Sequence, residues 1–329
     1  MNIILTHTDF DGVISSALLS LATGIDFIKF LSNNQIWYEN LTGQEVISDL
    51  PCPWKCSLWF DHHESNLKEM KERGVDTALI PGKFEIADSC ARIIYEHFRE
   101  SVPFPHYFED VIRETDKIDS MKYDSLEEWL RETPVKCLSN TVQLFPDDDY
   151  RKFLHYLLDL AKLIKRHEPQ KILEMENVKK RCNKFRTYKE ESTKLIRDNY
   201  YFHTTDSEKK MAVLDLSEFK TPARIDKNFV YIIEPEAECV LFINAIFKNN
   251  VKTNDLKFSM GINFTRSRFL PAMNIAKIFE ELELGGGHSK TAGGILHAAT
   301  KLEKLEKKEN ILKQIVEKWY NQKKAQPVI

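Results

Sequence analysis

The sequence predicts an α/β protein: a parallel-sheet N-terminal domain, a helical linker and a smaller α/β C-terminal domain. Three observations carry that expectation. Short apolar runs alternate with helix-patterned segments through the first half of the chain, as in a sheet covered on both faces. The stretch from about Tyr150 to Tyr200 is almost wholly helical in pattern and rich in Lys and Arg. Strand-like runs then return and give way to a charged tail. Boundaries at 1–149, 150–200, 201–300 and 301–329 follow.

Each element has a local reason. Asn2–His7 is apolar and β-branched, and a helical run from Val13 to Ala22 ends at Gly24, which suits a left-handed C-cap. Ile25–Leu31, Glu45–Asp49 and Ser57–Phe60 read as further strands, and Ser89–Phe98 as a helix. In the linker, Leu157, Leu158, Ala161, Leu163 and Ile164 supply an apolar face, and Pro169 starts a second helix. Met211–Leu216, Phe229–Ile233 and Lys257–Phe264 read as strands, with Cys239–Phe247 and Met273–Leu282 as helices. Lys301–Lys324 forms an amphipathic helix on Leu305, Ile311, Leu312, Ile315 and Val316.

With 329 residues and a net charge of −3, the chain has room for two cores and no overall character of a polyanion binder. No apolar run reaches the ~18 residues of a membrane span. Met1-Asn2-Ile3 leads straight into a strand-like run, so the expected compartment is the cytoplasm. The six cysteines are scattered, and the pair in Cys52-Pro53-Trp54-Lys55-Cys56 has no second pair at zinc-site spacing. They read as structural thiols.

The chemistry gathers where apolar runs stop. Ile3-Ile4-Leu5 leads into Thr6-His7-Thr8-Asp9-Phe10-Asp11-Gly12, and Ser57-Leu58-Trp59-Phe60 leads into Asp61-His62-His63-Glu64. Ligands bind at the carboxyl ends of parallel strands. Asp9 and Asp11 on a strand-to-helix loop can face one cavity, with Gly12 letting the backbone turn beneath them. Such carboxylates repel each other unless cations lie between them. His7, Asp49, Asp61 and His62 each end a strand-like run and can join them. Carboxylates and imidazoles without thiolate suit manganese, and the set is large enough for two ions. A second cluster lies near the end of the chain. Gly285-Gly286-Gly287-His288-Ser289-Lys290-Thr291-Ala292-Gly293-Gly294 holds five of the eleven glycines and offers backbone N–H groups to an anion. A helix starting at Ser289 would favour the same anion. Arg266 and Arg268 are candidate phosphate clamps.

With these motifs in this order, the chain resembles the DHH phosphoesterase superfamily over about residues 1–300. The resemblance implies a metal-dependent phosphohydrolase, its active site in the cleft between the two domains, that cleaves short oligonucleotides or nucleotide phosphates with a two-metal-activated hydroxide. It implies two Mn2+ ions, replaceable by Mg2+ or Co2+, held by His7, Asp9, Asp11, Asp49 as bridge, His62 and Asp116. It gives His63 a role toward the phosphate, with Asp61 supporting the histidines, and assigns substrate binding to Arg266, Ser267, Gly285, Gly286, Gly287 and His288. Leu284 departs from the family pattern, standing where many members have a fourth glycine. The implied partner is the substrate; no membrane is involved, and the oligomeric state is open, a homodimer included. An exopolyphosphatase- or pyrophosphatase-like hydrolase and a non-catalytic nucleotide-binding module are the alternatives.

Overall fold

Ile4–His7 forms the strand β1, and Phe10–Thr23 the helix α1 that follows it after a two-residue loop. Asp9 caps the helix, its side chain accepting the Gly12 N–H, and Gly24 closes it with φ 72°. β2 (Ile28–Leu31), β3 (Val46–Ser48) and β4 (Leu58–Asp61) follow. α2 (Glu64–Glu72) then leads to β5 (Gly82–Phe84), and α3 (Cys90–Phe98) and α4 (Phe108–Ser120) come next. The structure, a computed structural model, describes residues 2–144 and 149–324.

The five strands make one parallel sheet in the order β2-β1-β3-β4-β5. Its two faces show the period-two alternation of strands. Ile4, Val46 and Phe60 pack on one side against Val13, Ile14 and Leu18 of α1, Ile93 and Ile94 of α3, and Val111 and Ile112 of α4. Leu5, Ile47 and Trp59 pack on the other with Ile36, Leu50 and Met70. The sheet is thus buried on both faces, as its near-continuous apolar strands require. Cys52 and Cys56 lie in that second core with their sulfurs 3.1 Å apart, both as free thiols.

The remaining helices of this part of the chain are α5 (Leu126–Leu130), α6 (Pro134–Gln143), α7 (Tyr150–Ile164), α8 (Pro169–Leu173) and α9 (Glu176–Asn199). Pro169 occupies the first turn of α8, where a missing N–H costs nothing. The chain divides into two compact units: residues up to Lys122 with Arg131–Phe185, and Tyr123–Leu130 with the chain from Arg186 onward. The division falls inside α9.

The second unit holds β6 (Tyr200–Phe202), β7 (Met211–Leu216), α10 (Val230–Ile233), β8 (Cys239–Lys248) and β9 (Val251–Ile262). α11 (Ile275–Glu281), β10 (Gly285–His288), β11 (Thr291–Leu296) and α12 (Lys301–Lys324) complete it. Its six strands run β10-β11-β9-β8-β7-β6, with only β7 and β8 parallel to each other. Leu241, Phe258 and Met260 pack on Ile278 and Phe279 of α11 and on Leu312, Ile315 and Trp319 of α12.

Three local expectations are corrected. Cys239–Phe247 is a strand, because between β7 and β9 its alternate residues bury into the core. Phe229–Ile233 is helical despite its β-branched residues; Asp226 caps the turn before it by accepting the Asn228 N–H. No helix starts at Ser289: the glycine-rich segment is an antiparallel hairpin, Gly285 pairing with Gly294 and His288 with Thr291. Among the described residues, no helix is long and apolar enough to cross a membrane.

Candidate metal centre

The register of the parallel sheet lines up the site. Thr6 of β1 pairs with Ser48 of β3, and Ser48 pairs with Phe60 of β4. The next residue on each strand, His7, Asp49 and Asp61, therefore stands in one row at the carboxyl edge. The loops that continue from that row add Asp9, Asp11, His62 and His63.

Close backbone approach holds the first loop. A Cβ on Gly12 would lie 2.1 Å from the His7 carbonyl oxygen, so no other residue fits without moving the loop. Asp9 then sits with Oδ1 on the Gly12 N–H at 2.8 Å and Oδ2 2.6 Å from His7 Nδ1. Asp11 enters the first turn of α1 and receives the amides at the start of α3, Cys90 N–H at 2.7 Å and Ala91 N–H at 2.9 Å. Those charge-assisted bonds fix its orientation.

The second cluster is fixed from beneath. Asp61 is fully buried and accepts the backbone N–H groups of His62 and His63, and the Asn66 amide at 2.8 Å. His63 Nδ1 lies 3.0 Å from an Asp61 oxygen. His62 Nδ1 faces the Ala87 carbonyl at 3.0 Å, which leaves Nε2 turned to the carboxylates. His62 Nε2 stands 3.7 Å from Asp11, 3.5 Å from Asp49 and 3.4 Å from Asp119.

Among the described residues, three sets of groups are close enough to hold a cation: His7, Asp9 and Asp49; Asp11, His62 and Asp119; and Asp49, His62 and His63. Asp49 belongs to two of them. It is 1% exposed, takes φ 57° without being glycine, and neither of its oxygens has a hydrogen-bond donor. His62 Nε2 also has no hydrogen-bond partner among the described residues. Buried polar atoms without partners are costly and rare. Here they point into the same carboxylate cluster, which is what a divalent ion would satisfy, so the donor set fits such ions.

The electrostatics agree. Burial, then the charges of Asp9, Asp11, Asp119 and Asp61, push the Asp49 carboxyl well above its ordinary range. Burial, with Asp11 and Asp9, does the same to Asp119. Asp11 is raised to about 6 by burial, against His62 and the α3 amides. Asp9 goes the other way: burial opposes its charge, yet His7 and the Gly12 N–H hold it down at about 2. For His7, burial lowers the imidazole, but the charge and hydrogen bond of Asp9 together with the charges of Asp11 and Asp61 outweigh it and raise it. Crowded carboxyls of this kind hold protons that a bound cation displaces.

Asp116 lies elsewhere. Its oxygens are taken by Ser89 Oγ at 2.7 Å and by Arg92 Nη2 at 2.6 Å and Nε at 3.0 Å. The α4 carboxylate that meets His62 is Asp119, three residues on and on the same helix face. Sequence reasoning missed it; the available signal was the i, i+3 pair of carboxylates on one helix.

In the second unit, Gly285, Gly286, Gly287 and His288 form β10, an edge strand, so one side of its backbone has no strand neighbour among the described residues. The hairpin tip is pinned, Ser289 and Lys290 offering their carbonyls to the Ile275 and Ile262 N–H groups. Arg266 pairs with Glu236 and donates to the Pro235 carbonyl at 3.1 Å. Ser267 donates to the Phe264 carbonyl, and the Arg268 guanidinium lies over the Phe269 ring.

The sequence matches no protein-family model and no curated protein sequence. Solved structures do match. A pGpG-specific phosphodiesterase, PggH from Vibrio cholerae, superposes with a TM-score of 0.72 at 21% identity over 96% of this chain and 99% of that one. A DHH domain described as a member of the s1p family of ribosomal proteins gives 0.54 at 14% identity, over 96% of this chain and 86% of the other. RecJ from Thermus thermophilus, solved with Mn2+, gives 0.54 at 14% identity; all of this chain matches 53% of that protein. The parallel sheet, the helical stretch and the second sheet are the architecture that this chain shares with these structures: its fold is that of a DHH domain.

Proposed function

We propose that the chain is a divalent-metal-dependent phosphoesterase that hydrolyses short nucleotide phosphodiesters. One observation carries the reading: Asp49 and His62 present buried, unpartnered donor atoms to a cluster of carboxylates at the sheet edge where ligands bind. The likeness in fold to a pGpG-specific phosphodiesterase and to RecJ solved with Mn2+ supports it. Two manganese ions, when bound, would activate a water and neutralise the charge that develops on the phosphoryl oxygens.

The chain's own residues supply the rest. Asp49 serves both halves of the cluster, with His7 and Asp9 on one side and Asp11, His62 and Asp119 on the other. Asp61 keeps His62 and His63 in place, and His63 orients the phosphate. The glycine hairpin with His288 and the Arg266–Ser267 pair hold the remaining phosphate groups. The site takes short substrates, because the sequence shows no extended aromatic-and-basic track for a long strand.

A panel of substrates tests this. Manganese-loaded protein is expected to cleave pGpG or RNA of a few residues with the highest kcat/KM, ahead of 3′,5′-phosphoadenosine, cyclic dinucleotides, pyrophosphate and polyphosphate. Preferred turnover of polyphosphate would replace the nucleotide reading with an exopolyphosphatase-like one. No turnover of any of them would leave a binding module.

A further inference from the structure

Two thiols on the crossover from β3 to β4, Cys52 and Cys56, differ from the other buried cysteines. Cys90 and Cys239 are buried singly and turn to backbone carbonyls, those of Phe60 at 3.2 Å and Lys210 at 3.9 Å. Cys52 and Cys56 turn to each other, their sulfurs in contact at 3.1 Å. Both belong to the core that Met70 of α2 shares, inside a single compact unit.

The segment that carries them is held at both ends. The Leu50 carbonyl accepts the Trp59 indole N–H at 2.9 Å, and the Cys52 N–H meets Met70 Sδ at 3.3 Å. The Ser57 N–H donates to the Glu45 carbonyl at 2.7 Å. Pro51 and Pro53 fix φ on either side of Cys52, while Trp54 and Lys55 between the cysteines are exposed. The backbone thus sets the two sulfurs side by side, and each thiol meets the other at an effective concentration that no dissolved thiol reaches. Among the described residues, neither thiol joins a set of three groups able to hold a cation. Their contact serves redox chemistry instead.

We propose that Cys52 and Cys56 are a modification site, a dithiol that a hydroperoxide converts to a disulfide within the folded protein and that a thiol reductant restores. Cys56, the more exposed of the two at 8%, reacts first. Its sulfur, having given its proton to solvent, attacks one oxygen of hydrogen peroxide; the O–O bond breaks, hydroxide leaves, and a sulfenic acid remains. The Cys52 sulfur then attacks the Cys56 sulfur and displaces the remaining oxygen as water. Two thiols have lost two electrons and two protons, and one peroxide has become two waters. Contact with Cys52, and then burial, hold the Cys56 thiol far above its ordinary range, which makes the first step slow. The second is fast because the partner is already in contact, so oxidation stops at the disulfide. The link closes the crossover that runs from Asp49 to β4. It stands apart from the phosphoesterase reading, since neither sulfur belongs to the candidate centre.

The test treats the full chain with hydrogen peroxide, blocks the remaining thiols under denaturing conditions and maps tryptic peptides by mass spectrometry. Trypsin cuts after Lys55, so the link is expected as two joined peptides that dithiothreitol separates. The oxidised protein should melt about 2–4 °C higher, because the link constrains the unfolded chain, and return to its starting Tm on reduction. Cys52→Ala should leave Cys56 as a sulfenic acid that dimedone traps, and Cys56→Ala should give no link. If either variant fails to fold, the mapping and melting of the wild type decide alone. Absence of the Cys52–Cys56 link in treated wild type that still melts cooperatively would overturn the assignment. Sulfinic acid at either cysteine in place of the link, or a lower Tm for the linked protein, would do the same.

Discussion

Asp49 gathers the tension of the candidate centre into one side chain: positive φ, full burial, no donor on either oxygen and four other carboxylates near it. A carboxyl raised in the folded state contributes stability that is present below its unfolded pKa and lost as pH rises through its folded value. For Asp11 that window runs from about 4 to about 6, and Asp49 and Asp119 shift in the same direction. The metal-free protein therefore loses this contribution toward neutral pH, and a bound divalent cation would restore it. Asp49→Asn is expected to raise the Tm of metal-free protein at pH 7.5, to remove the Tm increase given by manganese, and to abolish turnover; calorimetric scans with and without metal would show all but the last. His63→Ala should keep stoichiometric metal while losing rate, since Asp61 engages its Nδ1 and two of the three candidate cation sets do not use it. Asp119→Asn should weaken manganese binding by about a hundredfold, whereas Asp116→Asn should leave it nearly unchanged and lower Tm through the lost Arg92 pair; titration calorimetry separates the two. Much of the centre was legible because His7, Asp49, Asp61 and His62 each follow an apolar strand, and a strand end fixes where the next residue lies. The choice between Asp116 and Asp119 was not, because it depends on Arg92 claiming one of two carboxylates on the same face.

At the scale of elements, the centre is built from loops held by helix ends. α3 donates its first amides to Asp11, and the Arg92–Asp116 pair ties α4 to α3 so that Asp119 reaches His62. Gly12 sets how closely α1 follows β1. Gly12→Ala is expected to cost about 1–3 kcal/mol in urea unfolding, and to weaken manganese binding with it, because the added methyl meets the His7 carbonyl and must push the loop outward. The first sheet could be read from sequence because buried parallel strands carry uninterrupted apolar runs. The second unit was harder. Its strand Cys239–Lys248 packs apolar residues at helix-compatible spacing, and only pairing with strands far along the chain settles it. Val230–Ile233 shows the opposite case, a β-branched run made helical by the turn that Asp226 starts.

At the scale of the whole molecule, the division of labour proposed above predicts that the second unit affects substrate and not metal. His288→Ala in the full chain should raise KM for a dinucleotide by about tenfold while manganese affinity stays unchanged, as measured by titration calorimetry beside steady-state kinetics. Removing the second unit outright is a poorer experiment than the sequence suggests, because Tyr123–Leu130 belongs to it. Trp129 packs on Phe229 and Phe264, with ring centroids 6.0 and 5.1 Å away, and Tyr123 also meets Phe264. A chain cut at Tyr200 would strip those rings from it. The same insertion orders events during synthesis. The ribosome releases Tyr123–Leu130 well before Phe229 and Phe264 emerge, while the residues around it already suffice to close the first sheet. Folding that begins at the N-terminus therefore passes through a stage with α5 undocked, a sticky intermediate in which an aromatic pair waits for its seat. Slowing elongation through the stretch that follows would lengthen that stage, and chaperone dependence would grow with it.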